Sequence, residues 1–86
     1  MELRIDHAHS LKEKRHVVRS LKDRLREKFN ISIAEIDDMD LHNSAVLAAA
    51  VVSPSKDCAG RVLEAVERET ESQVGPMLVR VDREWL

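Results

Sequence analysis

The residues best placed to do chemistry in this chain are eight cations packed into nineteen positions, Ser10 to Lys28, against only three acids. The remaining residues carry six basic and thirteen acidic side chains, so the whole chain has a net charge of −2 while one segment is strongly positive. A local field of this kind steers a charged partner more than the total does. Set on a helical wheel at about 100° per residue, Lys12, Arg15, Arg19, Lys22 and Arg26 fall in an arc of roughly 80°. They form one row spanning about 21 Å of helix. Such a row suits a polyanion, whose phosphates recur on a comparable scale and release counterions when neutralised. Lys14 is a further candidate beside the row. Two plainer readings compete with phosphate binding: a solvated helix face, and pairing with an acidic neighbouring helix.

Other groups are weaker. Glu35, Asp37, Asp38 and Asp40, with His42 nearby, are the densest acidic cluster, and hard cations take oxygen ligands. The calcium-loop spacing with its glycine and terminal glutamate is absent, and aspartates cap turns without any metal. His7, His9, His16 and His42 do not fall at zinc-ligand spacing. The single thiol, Cys58, is expected on the buried side of a helix, as a small core residue. No glycine-rich phosphate loop exists, since Gly60 and Gly75 are isolated. No catalytic residue, cofactor or metal is therefore expected, and the chain reads as non-enzymatic.

The elements that would position these residues follow from periodicity. Glu2 to Asp6 alternates polar and apolar, as a half-buried strand does. Ser10 reads as an N-cap and Glu13 as its reciprocal partner in a capping box. Val17, Val18, Leu21, Leu25 and Phe29 then continue the helix from about Leu11 to Lys28, and Asn30 suits a left-handed stop. Ile31 to Ile36 is β-branched and reads as a second strand. Ser44 to Val52, almost devoid of polar side chains, reads as a third strand buried on both faces or central in the sheet. Ser53-Pro54 suggests a cap with proline at the first helical position. A second helix follows to about Glu71, with Cys58, Ala59, Val62, Leu63, Ala65 and Val66 inward. Met77 to Asp82 is a fourth strand.

The order βαββαβ predicts a single ferredoxin-like α+β domain over residues 1–86, a four-stranded antiparallel sheet with both helices on one face. Eighty-six residues suffice for one modest core. One cysteine excludes a disulfide framework and suits a reducing, cytoplasmic compartment, and no apolar run reaches membrane-spanning length. Phe29 and Trp85 are the only aromatic residues besides histidine. Base stacking on the sheet is thus disfavoured. The open sheet face, with Arg4, Ser32, Ala34, Ala48 and Arg80, is instead a surface for a second copy or a protein partner.

The run His9-Ser10-Leu11-Lys12-Glu13-Lys14-Arg15, with Val18, Leu21, Leu25-Arg26 and Phe29 to Glu35, resembles the bacterial YlxP-like family of unknown function. Asp37-Asp38, Asp40-Leu41 and Ala49 to Ser53 match as well. The resemblance covers nearly the whole chain. It implies a ferredoxin-like fold, and an association with RNA or the ribosome, because the family's genes commonly neighbour those for translation initiation and ribosome maturation. No enzymatic activity is established for the family. Relatives usually carry more apolar residues before the first strand, so either that strand is short here or the sequence lacks its true start. The position of His42 is often aromatic in relatives, which weakens any stacking role for its loop.

Overall fold

The computed structural model describes residues 1–86. Its elements run β1 (Glu2–Arg4), α1 (Leu11–Lys28), β2 (Ser32–Asp37), β3 (Ser44–Ala50), α2 (Lys56–Val74), a single 3₁₀ turn (Gly75–Met77) and β4 (Leu78–Arg80). The four strands form one antiparallel sheet in the order β2-β3-β1-β4. This is the expected ferredoxin-like α+β fold, with β3 inserted between the two strands that α1 connects.

The core lies between one sheet face and the two helices. Leu3, Ile5, Ile33, Ala45 and Leu47 meet Val18, Leu21 and Leu25 of α1 and Val66 and Val74 of α2. Although β1 is three residues long, its pairing extends further. Met1 and Leu47 exchange bonds at 2.7 and 2.8 Å, and Ile5 N–H donates to Asn43 O at 2.8 Å. That extension lets Leu3 and Ile5, two residues apart and so on one face, both reach full burial.

Of the two readings of β3 the central one holds, with burial on one face only: Ala45 and Leu47 are buried while Ala48 and Ala50 are exposed. No layer covers the other face, and alanine limits the apolar area left in water. Asn30 takes no left-handed conformation. The cap is Phe29, in extended backbone, with its N–H on Leu25 O at 2.9 Å. Its half-buried ring packs on the core and draws the chain straight toward β2. The N-cap of α2 is Ser55, whose Oγ accepts from Cys58 N–H at 3.1 Å, so Pro54 precedes the helix.

Cys58 is exposed. The inward stripe of α2 is Ala59, Val62, Val66, Thr70 and Val74, and Cys58 sits about 100° off Ala59. The helix also runs three residues beyond Glu71, to Val74, where Gly75 supplies a φ of 55° that turns the chain back toward β4. Beyond β4 the tail lies along α2. Arg83 Nη2 meets Glu67 Oε2 at 3.2 Å, and Trp85 stacks over Gly60 with Lys56 Nζ 5.7 Å from its ring centre. No helix is long and apolar enough to cross a membrane.

Candidate nucleic-acid interface

The start of α1 sets the phase of everything on it. Ser10 is extended (φ −151°, ψ 161°) and its Oγ accepts the Glu13 N–H at 3.2 Å. Glu13 Oε2 accepts in return from His9 N–H at 3.0 Å, one residue earlier than a standard capping box would place that bond. The Ser10 bond satisfies a first-turn amide that would otherwise be orphaned, and the acid sits favourably at the positive end of the helix dipole.

The six candidate cations divide by environment. Lys12, Arg15 and Arg19 are exposed and Lys22 is half-buried. None of the four forms an ion pair within the chain. Arg26 is exposed but engaged. Its Nη2 donates to Ile33 O on β2 at 2.8 Å, and its Nη1 stands 4.0 Å from Asp23 Oδ1. Because β2 is an edge strand, this bond also occupies a backbone acceptor that would otherwise invite another strand.

Lys14 is corrected outright. It is 1% exposed, its Nζ lies 2.8 Å from Glu35 Oε2, and it donates to Asp38 O. Desolvating a lysine is tolerable only when it is paired and hydrogen-bonded, and Lys14 is both, so it has no access to a phosphate. The wheel carries the signal that was missed: at 100° per residue Lys14 falls between Leu21 and Leu25, in the middle of the apolar arc.

The expected rivalry with an acidic helix is real, but it is met by other residues. Glu69 of α2 accepts from Arg24 Nε at 3.1 Å and from Lys28 Nζ at 3.0 Å. The hydrogen bonds from Lys28 and then Arg24 hold its carboxyl below the ordinary carboxylate value. Arg24 and Lys28, spaced i, i+4, lie on the flank of α1 facing α2. The bond from Arg26 to β2 places the row on the opposite flank, above the sheet edge. The four unpaired cations therefore look outward, away from the acidic helix.

The acidic loop is occupied with its own structure. Glu35 holds Lys14. Asp37 Oδ1 accepts from Asp38 N–H at 2.8 Å, and Asp38, at a left-handed φ of 59°, accepts from Ser44 Oγ at 2.9 Å. His42 Nδ1 lies 3.0 Å from Ala8 O, an acceptor only, which fixes the proton on Nδ1. No three His, Cys, Asp or Glu side chains converge as a metal site would require. His7, His9 and His16 are exposed. The thiol of Cys58 has Arg61 Nη2 4.0 Å away.

On the open sheet face Arg4, Ser32, Ala34, Ala48 and Arg80 are all exposed, as expected. Trp85 belongs to a shallow groove on the far side of α2, with Lys56, Arg61 and Arg83. Phe29, at the end of α1, is half-buried against the core.

No curated protein matches this chain. Residues 1–83, nearly its full length, match the family described as a protein of unknown function, DUF503, and the chain belongs to that family.

Proposed function

We propose that this protein is a non-catalytic, cytoplasmic RNA-binding protein, acting on the ribosome or its RNA through Lys12, Arg15, Arg19 and Lys22. One observation carries the reading: these four cations share a flank of a rigid, capped helix and have no carboxylate partner, whereas Arg24 and Lys28 on the other flank are paired. Unpaired cations on one face raise the local potential. They gain most from counterion release when a phosphate ribbon replaces their ion atmosphere. The resemblance to the YlxP-like family, with its translation-gene neighbourhood, points the same way. Arg26 joins with whatever donors its bond to Ile33 leaves free.

The test is binding of fluorescent ribosomal RNA fragments to wild type and to Arg15→Glu/Arg19→Glu. The charge-matched control is Arg61→Glu/Arg68→Glu on α2, which alters net charge equally away from the row. Loss of affinity confined to the α1 variant is the expected result. Equal loss in both would leave only non-specific charge, and no loss in either would sink the reading.

A second reading uses the open sheet face to pair with another copy of the chain. It draws on the small exposed residues Ala34, Ala48 and Ala50, bordered by Glu2, Arg4 and Arg80, whose opposite signs permit self-complementary pairing. Light scattering decides it: a dimer that Ala48→Arg splits is expected on this reading, and a monomer at millimolar concentration removes it.

A further inference from the structure

The geometry points to double-helical RNA, and not a single strand, as the ligand of the α1 row. This rests on the RNA reading above and narrows it to a substrate class. Single strands are held by aromatic platforms on which successive bases stack, combined with a basic groove. Apart from the exposed His16 on α1, the row has the charge without a ring to serve as platform. Phe29 is half-buried against the core, and Trp85 is held on α2 with Lys56 over its ring. The sheet face, on which other proteins of this fold stack bases, offers Ser32, Ala34, Ala48 and Ala50 instead.

What remains is a straight, preformed ladder of charge. Lys12, Arg15, Arg19 and Lys22 are spaced three and four residues apart and cover about 15 Å at 1.5 Å per residue. A duplex presents phosphates already ordered along a ribbon, so a rigid row meets it without ordering the ligand. A single strand would have to be straightened to meet four cations, with His16 as the sole ring on α1 beside them to offset the lost entropy. The site also lies on a convex flank. It is bounded on the sheet side by β2, whose edge Arg26 closes at Ile33 O. A convex basic ridge suits the phosphates flanking the narrow major groove of A-form RNA, which proteins contact by shape without reading bases.

The experiment compares an RNA duplex of about 16 base pairs, the span of one shape-reading domain, with oligouridine of equal phosphate number. Anisotropy is followed across a salt series. The duplex is expected to bind at least about tenfold tighter, with log K falling by about 3–4 per decade of salt for four phosphate contacts at about 0.9 each. Arg15→Glu/Arg19→Glu should abolish that preference, and Trp85→Ala should leave oligouridine binding unchanged. Both row residues are exposed, and circular dichroism of the double variant, with the single variant Arg19→Glu as a milder second probe, verifies the fold. Oligouridine binding as tightly as duplex, in a row-dependent way, overturns the duplex inference and leaves the RNA reading standing. So does a loss in Trp85→Ala, since it would reveal stacking. Failure to bind either RNA, or binding indifferent to the row, overturns both.

Discussion

Lys14 Nζ lies 2.8 Å from Glu35 Oε2, and this pair fastens α1 to the edge strand β2 across the rim of the core. Glu35 Oε2 is buried, and beyond this ion pair no donor is directed at it. The Lys14 ammonium directs its hydrogen bond to Asp38 O. A motif residue that reads as a ligand-binding cation is thus a structural tie, and it also holds the left-handed turn at Asp38 in place.

Breaking that pair from one side leaves a charge stranded in a poorly solvated site. Lys14→Met should therefore destabilise the domain by about 3 kcal/mol, the low end for broken buried pairs, because Glu35 keeps some contact with water. The combined Lys14→Met/Glu35→Leu protein should return to within about 1 kcal/mol of wild type. Urea titrations of the three variants check both values. RNA affinity should be unchanged in the combined variant, since Lys14 is not part of the accessible row.

Glu69 links the two helices, and its carboxyl titrates below the ordinary value of 4.5 because Lys28 and Arg24 donate to it. The depressed value means the unfolded chain binds the proton more readily. Its contribution is fully present above pH 4.5 and is lost as pH falls through the lower, folded-state value. The Glu69 side chain is only 16% exposed, yet its donors Arg24 and Lys28 are 48% and 46% exposed, so water and salt weaken the effect. Glu69→Gln should accordingly flatten the acid limb of the stability curve below pH 4.5, a difference that should shrink in high salt. Thermal melts over an acidic pH series would show it, and parallel curves for the two proteins would contradict it.

Cys58 stands on the outer face of α2. A disulfide reagent should modify it under native conditions within about tenfold of the rate in denaturant, as exposure controls access to the thiolate. Cys58→Ser should shift stability by no more than about 0.5 kcal/mol. A protected thiol that reacts only on unfolding would return Cys58 to the core.

Gly60 occupies the interior of α2, where glycine costs helix stability. A Cβ there would meet only Trp85 Cη2, at 3.8 Å, an ordinary packing distance. Gly60→Ala should stabilise the protein by about 0.5–1 kcal/mol through the lower backbone entropy of the unfolded chain. Destabilisation, measured by denaturant midpoint, would mean the Trp85 contact is tighter than the backbone geometry indicates.

The amino-acid order alone determined the element sequence βαββαβ, the span of α1 from Leu11 to Lys28, its Ser10 cap and the existence of one basic row. Those are local matters: hydrophobic period, a hydroxyl beside a free amide, and the angular positions of five charges on one helix. What only the tertiary structure decided is which cations the row actually offers. Lys14 was withdrawn because the apolar arc in which it sits is driven into the core, and Glu35 arrives from a strand twenty-one residues away. Arg26 was partly engaged because β2 passes beneath it at the sheet edge. Arg24 and Lys28 were neutralised by Glu69, forty-five and forty-one residues distant, because the two helices lie side by side. Cys58 moved outward and Ser55 replaced Ser53 because the packed stripe of α2 fixes the helix phase, and one residue's difference rotates a side chain by about 100°. Periodicity can assign a charge to a helix flank, but which flank faces water and which faces a partner depends on what long-range packing brings beside it.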